Sequence, residues 1–170
     1  NVNATTVNWT NLNNNYQTYQ FYHVAQNNDA NSFADAVLGG TQDNGTVAGG
    51  TSIGFPDDST MSMQLGGDGV AVGISNDDDC LPFFMGFQNG PIYRDCPGGF
   101  VQVNPSNSGS QFVTYFYLDP DNNNALYYAG NNTVYRTTNS TIVTQFNWDN
   151  LGTTAAIPNG VNQIITVYAG

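Results

Sequence analysis

Short apolar runs, each bounded by Gly, Asn, Asp or Pro, set the rhythm of this 170-residue chain. Residues 20–25, 70–74, 111–118, 125–129, 133–137, 142–146 and 163–169 are rich in β-branched and aromatic side chains, and this pattern predicts strands. No window carries the three-and-four spacing of a helical stripe. The seven prolines and nineteen glycines fall mostly between the runs, where the turns of a meander belong. The expected fold class is therefore all-β.

A repeat underlies these runs. The stretches VLGG, FFMG, YYAG and VYAG end at Gly40, Gly86, Gly130 and Gly170. Ahead of three of these glycines stands an apolar strand followed by a turn rich in Asn and Asp: YHVAQNNDAN, VAVGISNDDD and FYLDPDNNN. Behind the second and third come GPIYRD and NTVYRTTN, each a strand ending in Arg. A second internal match, VNWTNLN at 7–13 with FNWDNLG at 146–152, places the start of the chain near the end of one repeat. A unit of about 40 to 46 residues holding several short strands has the size of a propeller blade. The chain then reads as one domain of about 3 to 4 such repeats: 17–65, 66–110, 111–155, and a partial 156–170 completed by 1–16 or by a neighbouring subunit.

Charge narrows the partners. There are thirteen Asp, no Glu, no Lys and only two cations, Arg94 and Arg136, for a net charge of −11. Such a chain repels nucleic acid and anionic lipid. No run of about 18 apolar residues is present, so no membrane insertion is expected. The chain opens without a Met or a charged-then-apolar leader, as a processed or excised product would.

Other features favour an extracellular or cell-surface location. Cys80 and Cys96 are the only cysteines, and the loop between them is short enough to be closed by a disulfide worth roughly 3 kcal/mol; two unrelated buried thiols are the alternative. Sequons stand at Asn3, Asn8, Asn44, Asn131 and Asn139, each a glycan acceptor if the chain passes through a glycosylating pathway.

LGGTQDNGT, LGGDGVAVGI, FQNGPIYRD and YLDPDNNNALYYAGNNTVYRTTN together resemble consecutive blades of the BNR/Asp-box β-propellers, the group that includes sialidase-like, sortilin-like and xyloglucanase-like propellers. The Asp box of that family runs Ser/Thr-x-Asp-x-Gly-x-Thr-Trp, and Thr41 to Thr46 matches its first half; at Thr137 to Thr141 the Asp and Gly are missing. The resemblance implies that Asp43 caps backbone N–H groups of a hairpin turn and that Gly45 supplies a positive φ, an architectural role repeated blade by blade.

The resemblance also raises the question of catalysis. Glycoside cleavage by acid and base needs two carboxyl groups about 5 to 9.5 Å apart, and without Glu these would be two Asp. Sialidase-like propellers hold the substrate carboxylate with three arginines, whereas this chain has two, each following a Tyr, in positions that suggest packing on an aromatic ring or pairing with Asp95. The single histidine, His23, alternates between Tyr22 and Val24 as a core or edge side chain would. Asn76 to Asp79 and Asp119 to Asn122 are oxygen-rich turns that calcium could use, but neither follows the twelve-residue calcium loop, so no cofactor is expected. Trp9 and Trp148, one per copy of the Asn-Trp element, read as structural.

Two functions from different classes remain. The first is a non-catalytic, secreted, N-glycosylated structural module that self-associates through open blade edges into a filament or matrix. The second is a carbohydrate-active propeller, hydrolase or lectin, with a pocket at its axis lined by two Asp or by exposed aromatics.

Overall fold

The computed structural model describes residues 10, 18–27, 33–57, 59–75, 82–96 and 99–153. These form twelve strands and two single turns of 3-10 helix, at Thr51–Ile53 and Ser140–Ile142. Strands β1 (Phe21–Gln26), β2 (Val37–Thr41), β3 (Gly45–Gly49) and β4 (Met61–Leu65) make the first antiparallel sheet, in that order. The second is built by β5 (Gly69–Ile74), β6 (Phe83–Phe87), β7 (Ile92–Cys96) and β8 (Gly99–Gln102). The third is built by β9 (Phe116–Leu118), β10 (Leu126–Ala129), β11 (Thr133–Thr137) and β12 (Asp149–Thr153). The fold is all-β, of blade-type four-stranded meanders. The expected strand at 163–169, the partial repeat of 156–170 and, Thr10 apart, residues 1–16 lie outside the described residues.

The middle sheet explains the apolar runs. Val72, Ile74, Phe83 and Met85 pack toward the first sheet with Ala36, Leu38 and Ala48. Their neighbours in sequence, Ala71 and Phe84, face the third sheet and meet Phe116, Leu126 and Tyr128. Side chains alternate across a strand, so a strand covered on both faces carries an unbroken apolar run instead of an apolar and polar alternation. GVAVGI and FFMGF are such strands, and all but Phe87 of their residues are buried. The outermost strands reverse the pattern: every residue of β8 and of β12 is exposed.

Two predicted strands are shorter or displaced. Of 111–118 only Phe116–Leu118 is strand. The Thr114 hydroxyl accepts the Gln111 N–H at 2.9 Å and donates to the Gln111 carbonyl, which closes a local turn in place of ladder pairing. In 142–146 the chain leaves the 3-10 turn and enters another, where Asn147 Oδ1 accepts from the Thr144 N–H and hydroxyl. The strand begins at Asp149.

Candidate functional site

The Gly-ended motifs that close at Gly40, Gly86 and Gly130 occupy the second strand of each sheet and lead into the hairpin between its second and third strands: 42–44, 88–91 and 130–132. The first and second hairpins are each tied to the segment that leads into the next sheet. Asp43 N–H donates to the Asp68 carboxylate at 2.6 Å, and the Asp68 N–H donates to Gln88 Oε1 at 2.8 Å in the following hairpin. One sheet further on, Asn89 N–H donates to the Phe112 carbonyl, and the Ser110 hydroxyl donates to the Asn89 carbonyl at 2.6 Å. Tyr128 reaches back from β10 to donate its hydroxyl proton to the Gly90 carbonyl at 3.0 Å.

At the first hairpin, Asp43 holds φ +60° and Gly45 φ +74°. A side chain on Gly45 would collide with the Leu65 carbonyl. The carboxylate that reaches this turn's backbone is Asp68, and Asp43 contributes its backbone N–H as the donor. Composition and motif matching missed Asp68. The signal that could have found it is its place in GGDG, immediately ahead of an apolar strand.

Asn44 and Asn139 are exposed, and Asn131 is half-buried at the third hairpin. Asn3, Asn8 and Cys80 lie outside the described residues, as does the turn at 76–79, while Cys96 ends β7 opposite Gly99. Asp119 closes its own turn, its Oδ1 accepting from the N–H groups of Asp121 and Asn122 at 3.0 and 3.2 Å. Among the described residues no three His, Cys, Asp or Glu side chains gather as a metal-binding group.

The arginines differ from the expected pairing with Asp95. Arg94 Nη1 crosses to the third sheet and donates to the carbonyls of Val143, at 3.1 Å, and Ser140. Asp95, the next residue on β7, points to the other face and is half-buried, and burial raises its carboxyl pKa. Arg136 pairs with Asp149 across β11 and β12 at 3.2 Å, an exposed pair worth at most about 1 kcal/mol.

A cleft of about 320 Å³ opens where the first strands of the three sheets converge: residues 23–26 of β1, 72–74 of β5 and 116–118 of β9, with Asp119, Pro120 and Asn123 at its rim. Asp119 is the one acidic residue among the described residues lining it. A two-carboxylate mechanism therefore has one of its two groups at this place. His23 lines the same cleft, and its Nδ1 accepts the Val72 N–H at 3.3 Å, which joins the first strands of two sheets and leaves the proton of the neutral ring on Nε2. Burial pushes its pKa below the usual histidine value.

Titration follows from these environments. The folded state favours neutral His23, so as pH falls through about 6.5 the unfolded chain takes up a proton that the folded chain resists, and stability declines. A second decline begins near pH 4. Asp35 accepts from the hydroxyl and N–H groups of Ser52 and Thr51, and Asp57 from Ser59 and Thr60, and these bonds hold both carboxyls below the usual range. Their contribution is complete above about pH 4 and is lost as pH falls toward the lowered folded values, while Asp95, with its raised pKa, works in the opposite direction. Melting temperature against pH is expected to fall in two steps, with the step near pH 6.5 absent from His23→Asn. A single step below pH 5 in the parent chain would show that His23 titrates alike in both states.

Compared with protein-family models and with curated proteins, the chain finds no match.

Proposed function

We propose that this chain is a non-catalytic, secreted and N-glycosylated propeller-repeat protein of the BNR/Asp-box kind, and that it serves as a self-assembling structural subunit outside the cell. The observation that carries the reading is the state of the outer strands. β4, β8 and β12 each pair on one side only among the described residues, and each displays exposed apolar side chains: Met63 on β4, Phe100 and Val101 on β8, Leu151 on β12. Edge strands are ordinarily blunted by Lys or Pro. Here there is no Lys in the chain, and no Pro in any of the three strands. A second reading, a carbohydrate-active propeller, is favoured by the cleft at the converging first strands, where Phe116 and Tyr117 lie beside Asp119.

Light scattering coupled to size-exclusion chromatography, with negative-stain electron microscopy before and after glycosidase treatment, tests the first reading. Rings or filaments carrying sugar are expected, with attachment at the exposed Asn44 and Asn139. A discrete sugar-free particle near the chain mass of 18.3 kDa would overturn it and turn attention to glycan screening of the cleft.

A further inference from the structure

Charge is unevenly distributed along this chain. The thirteen Asp leave 96–118 and 137–148 free of Asp, Glu, Lys, Arg and His. The structure brings parts of these two segments together on the outer rim of the second and third sheets. Ser106 N–H donates to the Gln145 carbonyl at 2.8 Å, and Trp148 Nε1 donates to the Val103 carbonyl at 2.8 Å. Val101 pairs in register with Arg94, whose guanidinium bonds the carbonyls of Ser140 and Val143 on either side of Ile142. Val101, Ile142 and Phe146 thus border one rim, and they are 43%, 68% and 83% exposed.

Phe146 is presented on a fixed support. It sits in the turn closed by Asn147 Oδ1 on the Thr144 N–H at 2.6 Å, and its own N–H donates to the Thr144 hydroxyl. A large aromatic ring held open to solvent on a rigid turn costs little further entropy to bury, which is the character of an interface anchor. The rim's one charge is Arg94, half-buried and turned onto carbonyl oxygens. Interface centres are depleted in charge and enriched in aromatic residues and Arg.

We infer that this rim, centred on Phe146, Ile142 and Val101, is where two copies of the chain meet, each presenting the same patch to the other. The inference rests on the self-assembly reading above and gives it a location. The occupant follows from charge. A net charge of −11 makes copies repel over most of their surface, and a patch-to-patch contact is the arrangement that brings no carboxylate from either segment into the interface. It also sets the sign of the salt response. Screening reduces repulsion between the distant carboxylates and leaves apolar contact intact, so association strengthens as ionic strength rises. A cationic partner seated on the acidic surface would show the reverse.

Sedimentation velocity of the whole chain at low and high ionic strength, with Phe146→Asp, Phe146→Ser, Ile142→Asp and the control Tyr19→Asp, tests this. Tyr19 is also exposed but lies just ahead of β1 of the first sheet, away from the rim and from the outer strands. The expected result is a concentration-dependent self-association that tightens with salt, weakened tenfold or more by the Phe146 and Ile142 variants and left as it is by Tyr19→Asp. Thermal unfolding of each variant is expected to match the parent, because all three side chains are exposed. Association that survives the rim variants, or that Tyr19→Asp alone abolishes, would overturn this interface while leaving self-assembly standing. A parent chain that stays monomeric at every salt concentration would overturn both.

Discussion

Phe84→Ala is expected to remove about 3 to 5 kcal/mol of unfolding free energy, the range for deleting a buried aromatic ring. Phe84 is 0% exposed in the second strand of the middle sheet, and its ring meets Phe116 edge-on with centroids 6.5 Å apart. It lies in the cluster that joins the second and third sheets, beside Ala71, Ile92, Leu126 and Tyr128. The second and third sheets have little freedom to collapse into the space it would leave, because the hairpin at 88–91 is pinned to Ser110, Phe112 and Tyr128. For a chain of this size the loss corresponds to a fall in melting temperature of roughly 10 °C. Urea titration followed by tryptophan fluorescence and circular dichroism would measure it. A loss under 1 kcal/mol with an unchanged slope would mean that the second and third sheets are not held together by this contact.

Gly40→Val is expected to cost about 3 kcal/mol or more, at the upper end for overpacking. Gly40 is buried on β2, and a side chain there would drive into the backbone carbonyl of Val70 on β5. Backbone has no rotamer through which to withdraw, so the first and second sheets would have to part. A side chain on Gly69, on the same strand as Val70, would likewise collide with the Gly45 carbonyl, so the two sheets touch backbone to backbone at this point. Gly66 supplies the control. It is exposed, an added Cβ would meet no atom within 4 Å, and its φ lies outside the left-handed region, so Gly66→Ala is expected to be neutral or to stabilise by about 0.4 to 1 kcal/mol. Denaturant midpoints of both variants decide the matter. Equal midpoints would show that the contact between sheets at Gly40 yields without cost.

Both predictions concern residues that the sequence repeat itself marks. Gly40 and Phe84 stand in VLGG and FFMG, the stretches whose shared ending revealed the repeat. The recurrence has a physical source: the second strand of each sheet is paired on both sides, and its apolar and small residues pack against the neighbouring sheet, in the middle sheet against one on each face. Runs that looked alike by composition were less informative. Residues 142–146 are richer in β-branched and aromatic side chains than β10, but the Asn147 and Thr144 side chains bind backbone locally and hold the segment in a turn at the rim.

The sequence by itself determined the all-β class, the blade-sized repeat and the hairpins at Asp43 to Gly45 and Asn89-Gly90, because strand propensity, turn chemistry and positive-φ glycines act within a few residues of one another. Only the tertiary structure decided that Asp68 supplies the carboxylate at a turn 25 residues earlier, that His23 bonds a backbone amide 49 residues away, and that the cleft takes residues from all three sheets. It also decided that Phe116 is covered while Phe146 is left open. Phe116 is covered because Ala71 and Phe84 of the second sheet pack against its strand, while Phe146 stands on a turn closed locally by Thr144 and Asn147.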